Sequence, residues 1–189
     1  MSAPCARLAG MTDVRLREVQ EPDLEVFFEQ SLDPEAVRRS RFPPRDREAF
    51  LGHWTARILG DPTVLVRTVT ADGEPAGSIV SWWKEDRRFV GYWLGRQFWG
   101  RGIGTTALTR FLELEPVRPL YADPYAGNTA SVRLLERCGF EKEATVWYDG
   151  DEYTLLALRD QPPTRRWPSR RRRSAGRGRR PRRRRRWSR

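Results

Sequence analysis

The stretch WGRGIGTTALTRFLEL, Trp99–Leu114, constrains this chain most. Gly100, Gly102 and Gly104 stand at alternate positions, and an apolar pattern of helical period begins directly behind them. A helix N-terminus leaves its first amides unpaired and carries partial positive charge. Glycine ahead of it lets the backbone take positive φ and approach a ligand closely. Gly100–Thr105, with Ile103 inside it, is therefore a candidate anion cradle, and Arg101 is a candidate added cation. RFVGYWLG before it (Arg88–Gly95) and RPLYAD after it (Arg118–Asp123) read as strands, so the glycine-led helix forms a parallel crossover.

The remaining elements follow from period and turn chemistry. VRLREV, Val14–Val19, alternates apolar and polar residues as a strand does. Glu21-Pro22-Asp23 opens a helix with Leu24, Val26, Phe27 and Phe28 as its apolar positions, and a second helix spans Asp46–Leu59 after Pro43-Pro44. Strand runs cover Thr63–Thr70 and Ala76–Lys84, joined through the hairpin signal Asp72-Gly73. A helix begins near Asn128 and is closed by Gly139, and a last hairpin turns at Asp149-Gly150. The order β-α-α-β-β-β-α-β-α-β-β predicts an α/β fold with a mixed, mostly antiparallel sheet.

The chain's 189 residues suit one domain with a real core. No apolar run approaches membrane-spanning length, and the N-terminus lacks a secretory pattern. Cys5 and Cys138 make neither a disulfide framework nor a metal site, and the lone His53 removes histidine-based zinc chemistry and most histidine triads, so a cytoplasmic protein without a metal is expected. The net charge of +11 is unevenly placed. Of 36 lysines and arginines, fifteen are arginines of residues 161–189, which hold no acid; 21 remain against 25 acids in residues 1–160, so the body is about −4. The composition predicts a disordered leader at 1–10, with Met11 as a second candidate start, a folded domain at 11–160, and a disordered arginine-rich tail at 161–189. Trp167 and Trp187 in that tail are able to stack on bases, so non-specific, salt-sensitive nucleic-acid binding through 165–189 stands beside the alternative of an extension without a role.

Gly102-Ile-Gly104-Thr-Thr-Ala107, with Asp123 19 residues beyond Gly104, also fits a dinucleotide fingerprint. That fingerprint belongs to the first strand of a parallel sheet with several crossovers; here it lies past mid-chain in a single one. YWLGRQFWGRGIGTTALTRFLEL followed by PLYADPYAGNTASVRLLERCGFEKEA instead resembles the GNAT N-acetyltransferase superfamily, and within it the branch of ribosomal-protein N-terminal acetyltransferases. The resemblance covers about Val14–Leu158 and is strongest over Phe89–Phe140. It implies a central strand pair that splays to admit acetyl-CoA. It implies pantetheine contacts from Leu94, Gly95 and Arg96, pyrophosphate contacts from Gln97 and Gly100–Thr105, and a cofactor contact from Asn128 supported by Ser131. Asn128 is equally a helix N-cap. Two registers fit the family's glycine motif, one led by Trp99 and one by Gln97, and the first is favoured because it brings Gly104 to the helix start.

The family places a tyrosine general acid seven residues after the asparagine; here that position is Leu135. The implied reaction is direct attack by a primary amine, of a small molecule or a protein N-terminus, on the thioester. Asp123 and Tyr92 are the catalytic candidates, drawn from a wider set with Glu85, Asp86, Tyr121 and Tyr125; Asp123 before Pro124 equally shapes a turn. The Leu94 amide is the candidate donor to the carbonyl oxygen. The arginines of the loop Arg39–Asp46, Arg41 and Arg45 with Arg39, would suit an acceptor bearing an acid. A non-catalytic acyl-CoA-binding module with a nucleic-acid-docking tail is the alternative. The sequence leaves a homodimer through a sheet edge open.

Overall fold

The computed structural model describes residues 12–160. The leader, Met11, Cys5 and the arginine-rich tail lie outside the described residues. Within them the strands are β1 (Val14–Arg17), β2 (Leu65–Ala71), β3 (Glu74–Lys84), β4 (Arg87–Leu94), β5 (Leu120–Ala122), β6 (Glu141–Tyr148) and β7 (Asp151–Leu158). They form one seven-stranded sheet in the order β1-β2-β3-β4-β5-β7-β6. Only β4 and β5 run parallel; the other neighbours are antiparallel. Asp72-Gly73 and Asp149-Gly150 turn their hairpins with positive φ at both residues, 52° and 92° in the first and 50° and 86° in the second.

The helices are α1 (Glu21–Ser31), α2 (Pro34–Ser40), α3 (Arg47–His53), α4 (Ile103–Leu114) and α5 (Thr129–Arg137). α2 is an addition to the sequence reading. Asp33 caps it, accepting from the amides of Glu35 and Ala36 at 2.9 Å each, and Pro34 occupies its first turn. The helix expected over Asp46–Leu59 is divided: α3 runs to His53 and a π-helical turn covers Trp54–Leu59.

α4 and α5 cover one face of the sheet. Ile103, Ala107, Leu108 and Phe111 form the buried stripe of α4, packed with Val69, Ile79, Val90, Leu120 and Leu156. α1, α3 and the π-helical turn cover β2 and β3 on the other face through Leu24, Phe27, Phe50 and Trp54. Two buried ionic groups tie helices to the sheet. Asp23 accepts from Arg17 and from Thr68 Oγ1 at 2.7 Å. Glu115, just beyond α4, accepts from Ser81 Oγ at 2.5 Å and Arg88 Nε at 2.9 Å, while Arg88 also donates to the Thr63 carbonyl at 2.6 Å. Among the described residues no helix is long and apolar enough to cross a membrane.

Candidate functional site

The site begins where β4 and β5 part. They pair only at Arg88↔Leu120 and Phe89↔Tyr121. β5 then stops at Ala122, short of Pro124, while β4 runs on to Leu94. The far half of β4 therefore keeps an unpaired edge. Gly95 N–H donates to Ala76 O at 2.9 Å on the β3 side. Amide direction alternates along a strand, so the Leu94 N–H faces the unpaired edge. The Leu94 carbonyl on that edge accepts from Trp99 Nε1 at 2.8 Å.

A cleft of about 450 Å³ opens from this edge toward the start of α4. Its walls include Tyr92, Leu94, Gly100, Gly102–Thr105, Asn128 and Ser131. Gly100 and Gly102 have φ of +71° and +76°, and open space lies where a Cβ would stand on either. Gly102 is the left-handed N-cap of α4, so bare amides of Ile103, Gly104 and Thr105 follow it at the positive end of a 12-residue helix. These features fit an anionic, phosphate-bearing ligand such as coenzyme A. Gly104 serves a different need: a Cβ there would stand 2.6 Å from Leu134 Cδ1, so it lets α4 approach α5.

The remaining predicted residues are not all gathered in the cleft. Arg101 is turned away, with Nη2 3.1 Å from Thr12 Oγ1 and 3.7 Å from Asp72. Arg96 and Gln97 are exposed on a 3₁₀ turn, Arg96 lying 4.0 Å from Asp33. Gly95 is buried behind the cleft, against Gln30. The cations lining the cleft are instead Arg39 from α2 and Arg133 and Arg137 from α5. The signal of Arg133 and Arg137 is present in sequence as an i, i+4 pair on the α5 helix, but only the packing of α5 beside α4 gives it meaning.

Tyr92 Oη lies 2.7 Å from Ser131 Oγ, and burial pushes its phenol well above the ordinary tyrosine value. Asn128 caps α5, its side chain accepting from the Ser131 amide at 3.3 Å. Leu135 is fully buried in the core. Asp123 does not line the cleft. It ends β5 with its carboxylate accepting from Tyr148 Oη at 3.1 Å, and burial raises its pKa. Glu85 and Asp86 are exposed turn residues, and Tyr121 packs on Phe89 in the core. His53 stands at the end of α3, its pKa lowered by burial. Arg41 lies over the Tyr125 ring at 5.1 Å and 3.5 Å from Asp151.

A family model for the acetyltransferase (GNAT) domain matches residues 13–141. The chain is 28% identical over 150 residues to the uncharacterized N-acetyltransferase YfmK of Bacillus subtilis strain 168, spanning 77% of this chain and 97% of that one. Its fold is similar to that of the aminoglycoside acetyltransferase AAC(6')-Ib solved with coenzyme A, at TM-score 0.67 and 22% identity over 78% of this chain and 95% of the other. It is also similar to RimL, a ribosomal L7/L12 α-N-protein acetyltransferase solved with coenzyme A, at TM-score 0.63 and 20% identity over 77% and 93% of the two chains. With a splayed β4–β5 pair, a glycine-led helix start beneath it and a family match over most of its length, the chain belongs to the GNAT family of acetyl-CoA-dependent acetyltransferases.

Proposed function

We propose that this chain transfers the acetyl group of acetyl-CoA directly to a primary amine of a small molecule or a protein N-terminus. The observation that carries this reading is the open edge of β4, which aims the Leu94 amide into a cleft whose floor is the start of α4. The amides of Gly102–Thr105 hold the pyrophosphate, and Arg133 and Arg137 add charge beside it. The Leu94 N–H donates to the carbonyl oxygen as it gathers charge. The acceptor nitrogen forms a bond to the carbonyl carbon and the C–S bond breaks. The starting ammonium gives up two protons, one ending on the sulfur and one in solvent. Tyr92, hydrogen-bonded to Ser131, donates to the departing sulfur in place of the tyrosine that Leu135 replaces. Asp123, at the end of β5 and outside the cleft walls, receives a proton from the amine side through water.

Holding both partners in register supplies the largest share of the rate, about 7–11 kcal/mol in well-oriented systems. The test is calorimetric titration of acetyl-CoA into the full chain and into Gly102→Glu, followed by turnover on a panel of primary amines. Saturable binding lost in the folded variant, with amide formed by wild type, supports the reading. Absence of binding by folded wild type overturns it.

The buried Leu135 favours one second reading, a module that binds acyl-CoA without turnover. Binding without amide formation across the panel would select it. In either reading the arginine tail adds a non-specific, salt-sensitive contact to nucleic acid. A truncated chain lacking residues 161–189 should lose RNA retention while keeping acetyl-CoA affinity.

A further inference from the structure

α2 and the β5–α5 loop enclose a second pocket of about 240 Å³. Its walls are Arg38, Arg39, Tyr125 and the first turn of α5, and among the described residues no carboxylate lines it. Glu35 stands behind the arginines. It takes Arg38 through Nε and Nη2 at 2.8 Å each and Arg39 through Nε at 2.7 Å. Those two guanidinium groups hold the Glu35 carboxyl down at about 2, so it is ionised throughout the physiological range and faces both arginines. Two positive charges share one negative, which leaves the pocket cationic. Arg38 Nη1 and both Nη groups of Arg39 make no hydrogen bond to a described residue. The open amides of Thr129 and Ala130 add the positive end of α5.

The pocket shares Arg39, Asn128 and Ala130 with the cofactor cleft. Its own wall is elsewhere. Arg133 and Arg137, the arginines beside the glycine cradle, do not line it. Tyr125 instead lies two residues from Asp123 and edge-on to Tyr153 at 5.9 Å. Bidentate donors facing a small polar cavity recognise a planar carboxylate or a phosphate.

Resting on the transferase reading for its place beside the cleft, we propose that this pocket binds an acidic group carried by the acceptor, so that the preferred amine belongs to a molecule bearing a nearby carboxylate or phosphate. Of the loop arginines the sequence offers for this task, Arg39 lines the pocket and is joined there by Arg38, whereas Arg41 is held over Tyr125 beside Asp151 and Arg45 is on the exposed loop.

The test is binding, so it stands apart from turnover. Matched amines differing only in the acid are titrated into the full chain saturated with coenzyme A. The pairs are an amino acid and its carboxamide, a peptide beginning with Asp and one beginning with Asn, and phosphoethanolamine and ethanolamine. The pair with the widest gap tells which source of acid is used. At least a tenfold advantage for the acid-bearing member is expected in one pair or more. It should fall below twofold in Arg38→Gln and be partly kept in Arg38→Lys, with coenzyme A affinity unchanged. Equal binding within every pair, no binding of any acid-bearing member, or an advantage that survives Arg38→Gln overturns the proposal. So does a tenfold loss of coenzyme A affinity in Arg38→Gln that dephospho-coenzyme A does not show, because the pocket would then hold the cofactor's own phosphate. Acid-selective binding without amide formation would count against the transfer reaction and leave the pocket's specificity standing.

Discussion

The two edges of β4 have opposite fates. Toward β3 it is zipped over eight pairs, from Lys84↔Arg87 to Gly77↔Leu94. Toward β5 it makes two. The same eight residues thus supply a ladder on one side and a row of open backbone groups on the other. Buried backbone donors and acceptors are almost always paired, so an open edge persists only where something else meets it. Here Trp99 takes one carbonyl and a cleft meets the rest. The sequence cause is compact: Pro119 and Pro124 bracket β5 and hold it to three residues. A strand cut short on one side of an otherwise complete ladder builds a site without weakening the sheet that carries it.

The comparison breaks most severely at its root. Arg88 begins the β4–β5 pairing, and its guanidinium is buried against Glu115, Ser81 and Thr63. Glu115→Gln leaves that cation without its counter-charge, which costs about 3–5 kcal/mol in stability. Urea unfolding should show it; a change below about 1 kcal/mol would mean that this pair does not anchor the fork. Acid tests the same point. Burial alone would raise the Asp23 and Glu115 carboxyls, but the hydrogen bonds they accept win, and both lie below the ordinary carboxylate range. A depressed folded pKa stabilises above the unfolded value and fades as pH falls through the folded one. The melting temperature should therefore hold above pH 4.5 and fall below it, less steeply in Glu115→Gln.

On the open edge the largest effect is on rate. Tyr92→Phe removes the hydroxyl paired with Ser131 and leaves the ring in place. The expected loss is about 10²-fold in kcat, with KM for acetyl-CoA nearly unchanged. Because burial raises the Tyr92 pKa well above the ordinary tyrosine value, the phenol stays protonated through the physiological range, so no decline of kcat there is assigned to its ionisation. An unchanged kcat in Tyr92→Phe would remove it from the chemistry. On the zipped edge the matching change is Gly77→Ala. A Cβ there would stand 2.0 Å from the Trp93 carbonyl oxygen, at a φ of +151°. Strain of this kind costs about 1–3 kcal/mol, and thermal melts should show it.

The zipped edge was legible in the sequence and the open one only in outline. Alternating strands and Asp-Gly turns are local signals, and the hairpins at Asp72-Gly73 and Asp149-Gly150 carry the positive φ that such pairs permit. Gly102 was legible for the same reason, since a left-handed residue before a helix is a local demand. Arg101 was misread because its direction depends on Thr12 and Asp72, far away in the chain. Gly104 lines the cleft as a ligand contact would, but its bareness also answers to Leu134 on another helix, which no local pattern shows. α2 had its Asp33-Pro34 start signal, but seven residues are too few for an apolar period to show. Arg38, Arg133 and Arg137 carry no local signal that sets them apart as lining a cavity, and Arg39 is legible only as the first residue of a loop. Which arginines face a cavity is settled by how helices pack, and no short window of sequence contains that.

The smallest test lies at the one point where a side chain stands in for the missing strand. Trp99 donates its indole N–H to the Leu94 carbonyl at 2.8 Å, in the place a longer β5 would have taken, and Arg39 stacks on its ring at 4.6 Å. Trp99→Phe keeps a ring for the arginine and deletes the donor. A single neutral hydrogen bond of this kind is worth about 1 kcal/mol, so the melting temperature should fall by a few degrees. Acetyl-CoA affinity should weaken more than that loss accounts for, because an unheld carbonyl would let the end of β4 drift and carry the Leu94 amide with it. If stability falls while affinity does not, the open edge is held by the β3 ladder alone, and the indole is only packing. If both fall together, the substitute donor is what keeps an unpaired strand edge in the geometry that its chemistry uses.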